Sequence, residues 1–223
     1  KMIHQFDHQF AKPKYWIDEK EGRKALLGRE EDKGQKLDYE FARLVFRKIA
    51  RNTDMRTLIS STIYKYSYFS DSMNIISIIH DVYYYYLLFI NSILNSFVLD
   101  YYLRLFVTAN INIFRILQIP VPRLTEKDPR FKPIVDRAAR LICTTPEFDE
   151  LAREVGLGSH KNGVTDPAER AKLRSELDGL VAHLYGVTRE EFQHILSTFP
   201  IVAQEVRDAA LCAYDDVAKG KIK

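Results

Sequence analysis

An uncharged stretch near the middle of the chain constrains the fold more than any other feature. Eighteen residues separate Asp81 from Asp100, and none of them carries a charge. This length reaches the lower limit of a membrane-spanning helix. Polar residues such as Asn91 and Asn95 interrupt every side of the stretch, however, unlike a lipid-facing helix. We therefore predict a long, mostly buried core helix from Tyr83 to Val107, and no contact with a membrane.

The stretch from Phe41 to Ile63 predicts two strands. Residues 57–63 are dominated by β-branched residues and serine, which is the composition of a strand. The preceding Asn52-Thr53-Asp54 has short polar side chains that favour turns. The simplest interpretation is a hairpin with a short polar loop, flanked by Arg51 and Arg56.

Basic residues are concentrated in the same region. From position 41 to position 65 there is one acidic residue, Asp54, against six basic ones. These six are Arg43, Arg47, Lys48, Arg51, Arg56 and Lys65. Such a density suggests a polyanion as partner. Composition leaves the alternative open, which is a solvated face with scattered ion pairs.

Net charge and cysteine content set the wider context. The 223 residues carry a net charge of +3, and residues 1–65 alone carry +5, so we expect an anionic partner on this first third. Cys143 and Cys212 offer neither a disulfide framework nor a metal-ligand spacing, which predicts a reduced, cytoplasmic setting. Because Lys1 precedes Met2, we expect the chain to be a piece of a longer protein.

Residues 46–63, FRKIARNTDMRTLISSTI, resemble the target-recognition region of adenine-specific DNA methyltransferases from type II restriction-modification systems. Those TaqI-like specificity domains carry the pattern R-x-I-x-R-x-T-x-x-R-T-[LV]-I, which residues 47–59 fill. Other stretches resemble the same family in order along the chain. They are residues 6–11 (FDHQFA, with Gln9 where arginine is common), Tyr15-Trp16, residues 94–104 (LNSFVLDYYLR), residues 109–122 (ANIN-F…QIPVP) and residues 173–200.

The resemblance implies sequence-specific binding of double-stranded DNA and attachment to an upstream methyltransferase domain. Asn110 and Asn112 belong to this implied site, because asparagine can read adenine through two hydrogen bonds; capping of a loop backbone is the alternative. We expect Arg47 and Arg51 to contact phosphates, and Arg56, as the residue nearest the loop tip, to read bases. The predicted DNA-binding residues are Arg47, Lys48, Arg51, Asn52, Thr53, Arg56, Thr57, Lys65, Asn110 and Asn112.

The catalytic motifs of such an enzyme are missing from this sequence. The family needs an [NDS]-P-P-[YF] loop to hold the extruded base, and no two prolines are adjacent here. Gly156-Leu157-Gly158 follows a predicted helix, not a strand. We therefore assign no catalytic residue and expect S-adenosylmethionine in the upstream domain instead of this chain. His4 and His8 lack a third ligand, so we predict no metal site.

Two other functions remain open. The chain could be a helical protein-interaction or scaffold domain that docks on a catalytic subunit through its acidic C-terminal half. It could also be a small enzyme whose site the sequence does not reveal. DNA binding that weakens steeply with salt would favour target recognition over the scaffold domain, and a methyl-transfer assay would address the small enzyme.

The predicted fold class is α+β, with a small twisted sheet, a long central helix and a helical C-terminal portion. We divide it into a recognition region, residues 1–125, and a helical region, residues 126–223. Residues 18–36 are predicted to be an exposed loop, and residues 74–79 a strand. Capping signals predict helices in the C-terminal region. These helices are residues 146–155 after Thr145, residues 167–185 after Asp166, and a short one after Thr188 with Glu191 in a capping box.

Overall fold

The computed structural model describes residues 2–69, 71–76, 84–107 and 109–223. Its fold is α+β, as predicted: a small antiparallel sheet is followed by a mostly helical chain. The strands are β1 (Arg43–Arg47), β2 (Ser60–Ile63) and β3 (Met73–Ile76). The helices are α1 (Glu19–Leu27), α2 (Tyr84–Leu94), α3 (Phe97–Arg104), α4 (Ile113–Leu117), α5 (Phe131–Ile142), α6 (Asp149–Glu154), α7 (Pro167–Leu184), α8 (Arg189–Ser197) and α9 (Gln204–Ala218).

The sheet has the order β2-β1-β3, with β1 antiparallel to both neighbours. Arg43 lies opposite Ile63 in β2, so the predicted pairing of these two segments is confirmed. The predicted short loop and the strand start at residue 57 are wrong, because β1 ends at Arg47 and β2 begins at Ser60, which leaves residues 48–59 to connect them. Leu44 and Phe46 of β1 point into the main core, because alternate residues of a strand face opposite sides. Val45 packs on the other side in a smaller cluster. The strand predicted at residues 74–79 is seen as β3, and its residues 77–79 lie outside the described residues.

The prediction of one helix from Tyr83 to Val107 is wrong for the described part of that range. α2 and α3 are separate helices bent by 60°, and Tyr83 lies outside the described residues. The break occurs because Asn95 turns its amide to β2: Nδ2 donates to the carbonyl of Ser60 at 3.0 Å, and Oδ1 accepts from the Ser60 N–H at 3.1 Å. Ser96 then caps α3.

The predicted burial of the uncharged stretch is confirmed, since most residues of α2 lie in the core. Among the described residues, no single helix is long and apolar enough to cross a membrane. α2 and α3 reach that length and composition only when they are counted together across their bend.

The predicted loop at residues 18–36 is wrong in its first half, where α1 forms. Asp18 caps this helix by accepting from the N–H groups of Lys20 and Glu21 at 3.0 and 3.1 Å. Arg23 then ties α1 to Asp32 and to Glu40 just before β1. The charged residues at the start of this range therefore belong to a solvent-exposed helix and not to a loop.

The C-terminal region is helical, as predicted. Asp166 caps α7, and the capping box of Thr188 and Glu191 begins α8. The helix expected at residues 146–155 is instead a 3-10 turn, Pro146–Phe148, followed by α6. α9 has no counterpart in the sequence prediction. The main hydrophobic cluster draws residues from both sides of position 125, including Phe46 and Leu177, so the two regions share one core.

Candidate nucleic-acid interface

The first candidate segment is the loop that joins β1 to β2, residues 48–59. Residues 51–55 are all exposed, and a local turn fixes their backbone. The Asp54 carboxylate accepts from the Arg51 N–H at 3.0 Å, and the Arg51 carbonyl accepts from the Asp54 N–H at 3.1 Å. Short polar residues make this turn possible because their side chains bond to nearby backbone groups. Arg51, Asn52 and Thr53 are thus presented to solvent on an ordered loop.

The second candidate segment lies directly beside the first. Asn110 is the antiparallel bridge partner of Ile49. The Ile111 N–H donates to the Lys48 carbonyl at 2.8 Å, and the Ala50 N–H donates to the Ala109 carbonyl at 3.2 Å. The side chains of Asn110 and Asn112 are exposed. Two segments some sixty positions apart in the sequence therefore lie side by side at this end of the sheet, with Asn110 next to the loop that carries Arg51.

Arg56 does not lie at a loop tip, and this geometric part of the sequence prediction is wrong. It is buried, and its Nε lies 3.0 Å from the Asp100 carboxylate. Its guanidinium also donates to the Asn95 carbonyl and stacks 3.9 Å from the ring centroid of Phe97. Thr57 is buried as well, with its N–H donating to Asp100 at 3.0 Å. These two residues hold the loop to α3 from the inside.

Arg104 supports the candidate loop, and the sequence did not predict this role. It donates to the carbonyls of Asp54 and Met55, and its Nε lies 3.8 Å from Asp100 one turn earlier in α3. The spacing of Asp100 and Arg104, four residues apart at the end of an uncharged stretch, was the available signal. Arg104 and Arg56 together anchor the C-terminal end of the exposed turn.

Arg47 and Lys48 are only partly available to a ligand. Arg47 is half-buried, donates to the Ile3 carbonyl and lies 5.9 Å from the ring centroid of Phe10. Burial lowers the pKa of Arg47. Lys48 is paired with the exposed carboxylate of Asp71 at 2.7 Å. An anion could compete for Lys48, because exposed pairs of this kind contribute little free energy.

The structure separates Lys65 from the other predicted residues. It follows the end of β2 where Ile63 lies opposite Arg43, whereas the candidate loop leaves the other end of β1, after Arg47. Lys65 is paired with Glu150 at 2.9 Å, and this hydrogen bond raises the pKa of Lys65. The surface brought together by the fold therefore comprises Lys48, Arg51, Asn52, Thr53, Asn110 and Asn112.

Apolar side chains border this surface and were not predicted from the sequence. Ile49 and Met55 of the loop are exposed. Phe114 and Leu117 of α4 are 74% and 72% exposed, and Arg115 of the same helix lies over the ring of Phe106 at 5.6 Å. In sequence, Phe114 and Leu117 have the spacing of a buried helical face. Only the tertiary structure reveals that this face is uncovered in the isolated chain.

The surface offers a guanidinium, an ammonium, amides and a hydroxyl, which are groups for recognition through hydrogen bonds and charge. His4 and His8, for which no metal site is predicted, each contact an aromatic ring: His4 packs on Phe10, and His8 packs on Phe148. Within the described ranges, no group of three His, Cys, Asp or Glu residues could hold a metal ion.

Fold and surface together define an α+β protein whose small sheet presents a polar loop at one end. No family model, curated protein or solved structure matches the chain.

Proposed function

We propose that this chain is the target-recognition part of an adenine-specific DNA methyltransferase of a restriction-modification system. In this proposal it binds double-stranded DNA, and an upstream domain binds S-adenosylmethionine and carries out the transfer. The observation that carries the proposal is the pairing of Ile49 with Asn110, which joins the Arg51 loop and the asparagine segment in one exposed surface.

The chemistry of this surface suits duplex DNA. Arg51 is exposed, and the nearby Asp54 carboxylate bonds to its backbone N–H, so a phosphate can approach its guanidinium. Asn110 and Asn112 present amides, the groups that pair with adenine in the major groove. Phosphate contacts position a protein on DNA, and base contacts specify the sequence. The proposed division of roles is Arg51 for affinity and Asn110 with Asn112 for sequence.

The test is binding of the 223-residue chain to a mixed-sequence duplex over a series of salt concentrations. Arg51→Ala should weaken binding to all duplexes and lower the slope of log affinity against log salt by about one. Arg140→Ala, an exposed arginine of α5, is the matched control and should leave the slope unchanged. Lys65→Ala should resemble this control, because Lys65 lies at the other end of the sheet.

The roles of the asparagines are tested by selection from a pool of random duplexes. Asn110→Ala should relax the preference at one base pair, by roughly 1–3 kcal/mol, while the salt slope stays that of the parent chain. If Arg51→Ala and Asn110→Ala both behave as the parent does at every salt concentration, this surface does not bind DNA and the proposal is wrong.

The exposed face of α4 favours a second candidate function, docking on a catalytic domain. Phe114 and Leu117 are large and apolar, and such side chains at a surface mark interaction sites. In the full-length enzyme, Phe114→Ser with Leu117→Ser should loosen the attachment of this region, measured as faster proteolysis between the two parts. Unchanged proteolysis would contradict docking through α4.

A further inference from the structure

Residues 10–17, FAKPKYWI, form an exposed segment that the proposed duplex surface does not use. All eight residues are exposed, and none belongs to a helix or strand. Tyr15 is 83% exposed and Trp16 is 93% exposed. Aromatic side chains of this size are normally at least half-buried in a folded chain. We call these eight residues the aromatic segment.

Both ends of the aromatic segment are attached to the fold. At its start, Phe10 packs against His4 at 5.3 Å between ring centroids and lies under Arg47. At its end, Asp18 caps α1. α1 is held in turn by the pairing of Arg23 with Glu40 at 2.8 Å. Tyr15 and Trp16 therefore lie on an exposed segment that is attached to the fold at both ends.

The charge pattern of the segment indicates what could cover these rings. Lys12 and Lys14 precede Tyr15, with Pro13 between them to restrict the backbone, and no acidic residue occurs between Asp7 and Asp18. Two cations followed by two aromatic rings fit a chain that carries both phosphates and flat bases. Proteins that bind single strands use this combination, because every base offers a face for stacking and every phosphate a charge.

We propose that the aromatic segment binds unpaired bases of single-stranded DNA, with Tyr15 and Trp16 stacking on bases and Lys12 and Lys14 contacting phosphates. The inference rests on the proposed function. The aromatic segment adjoins the duplex surface, since Phe10 contacts Arg47 at the end of β1, the strand that leads into the Arg51 loop. Duplex and single strand would thus be bound by adjoining parts of one protein.

The chain contains a single tryptophan, so its fluorescence reports on this segment alone. The probe is an oligothymidine of about twelve nucleotides, within the site sizes of single-strand binders, which has no internal pairing. Titration should quench the emission of Trp16 in a saturable manner. The same strand annealed to its complement should quench far less, since its bases are already stacked.

Variants assign the contacts, with anisotropy of a labelled oligonucleotide as the readout. Tyr15→Ala should weaken single-strand binding by roughly fivefold or more, the low end of the effect of losing one stacked base. Lys12→Ala with Lys14→Ala should lower the salt slope by about 1.4. Trp16→Phe retains a ring and should bind nearly as the parent does, whereas Trp16→Ala should not. Lys24→Ala in α1 is the control for a nearby exposed cation.

The outcomes separate this inference from the proposed function. If oligothymidine leaves Trp16 emission unchanged while duplex binding still depends on Arg51, the inference is wrong and the proposed function stands. The exposed rings would then be assigned to a protein partner. Equal quenching by duplex and single strand would also overturn it. If neither nucleic acid binds, both proposals fail.

Discussion

The Nε of Arg56 lies 3.0 Å from the carboxylate of Asp100, and both side chains are buried. This ion pair joins the β1–β2 loop to α3 across 44 positions of sequence. Asp100 also accepts from the N–H groups of Thr57 and Leu58 at 3.0 and 3.3 Å. Burial raises the pKa of Asp100, while Arg56, Arg104 and these N–H groups act in the opposite direction. The exposed turn at residues 51–55 is therefore held to α3 by a buried ion pair.

We expect Asp100→Asn to lower the free energy of unfolding by about 3–5 kcal/mol, because it leaves two guanidiniums buried without their counter-charge. Urea denaturation measures this loss. Asp128→Asn is the matched control, since the pair of Asp128 and Arg130 has a 2.7 Å contact but lies at the surface. Its effect should be much smaller. Equal losses in the two variants would contradict a structural role for Asp100.

Asp178 should make stability depend on pH. It is buried, its carboxylate accepts from the Phe97 N–H at 2.9 Å, and burial raises its pKa from 3.8 to about 6. A carboxyl with a raised pKa in the folded state binds a proton more tightly there than in the unfolded chain. The protonated Asp178 carboxyl therefore costs the folded state least at low pH. The free energy of unfolding falls as the pH rises from about 4 to about 6, where the carboxyl ionises in the unfolded chain first.

Asp178→Asn removes this titration and keeps an oxygen that can accept from Phe97. The variant should gain stability relative to the parent chain as the pH rises, by about 2 kcal/mol between about pH 4 and pH 7. Urea denaturation of both proteins at the two pH values measures the difference. A gap that is independent of pH would show that Asp178 has the same pKa in the folded and unfolded states.

Gly179 allows α7 and α9 to approach closely. A Cβ atom at this position would lie 2.8 Å from the carbonyl carbon of Ala213 and 2.8 Å from the backbone nitrogen of Tyr214. Gly179→Ala should therefore destabilise the protein by about 1–3 kcal/mol, because backbone atoms cannot move aside independently. The strain of the close contact should outweigh the gain of about 1 kcal/mol that alanine normally brings to a helix interior, so the net effect is a loss of stability.

Gly22 in α1 provides the comparison for Gly179. Its added Cβ would meet the far end of the Tyr68 side chain, also at 2.8 Å, and a side chain can rotate away. Thermal unfolding should give a clearly lower midpoint for Gly179→Ala than for Gly22→Ala. The reverse order would mean that α7 and α9 are not packed as closely as described.

The two cysteines should differ in reactivity. Cys143 is buried, and burial raises the pKa of its thiol to about 12, while Cys212 is exposed. Because the thiolate is the reactive form, iodoacetamide should label the native chain at Cys212 alone and the unfolded chain at both positions. Mass spectrometry of peptides measures the label. Rapid native labelling of Cys143, with Cys212→Ser as control, would contradict its burial.

Local signals in the sequence were sufficient for several elements. Asp166 and Thr188 begin helices where predicted, because a capping side chain acts on backbone groups two or three residues away. β1 and β2 pair as expected from two strand-like segments around a turn. The α+β class follows from such elements, and so does the exposure of Arg51 on a polar turn.

The tertiary structure determined which contacts form between residues that are distant in sequence, and how those contacts change individual elements. The sequence predicts both Arg51 and Arg56 beside the turn and exposed to DNA, yet Arg56 pairs with Asp100 in the core and Arg51 stays at the surface. The uncharged stretch is predicted to be one buried helix, yet α2 ends at Leu94, where Asn95 bonds to Ser60. In both cases a polar group is buried, and a buried polar group without a hydrogen-bond partner costs several kcal/mol, roughly the cost of its desolvation. Which partner is available depends on how the chain folds, so these outcomes cannot be deduced from nearby residues.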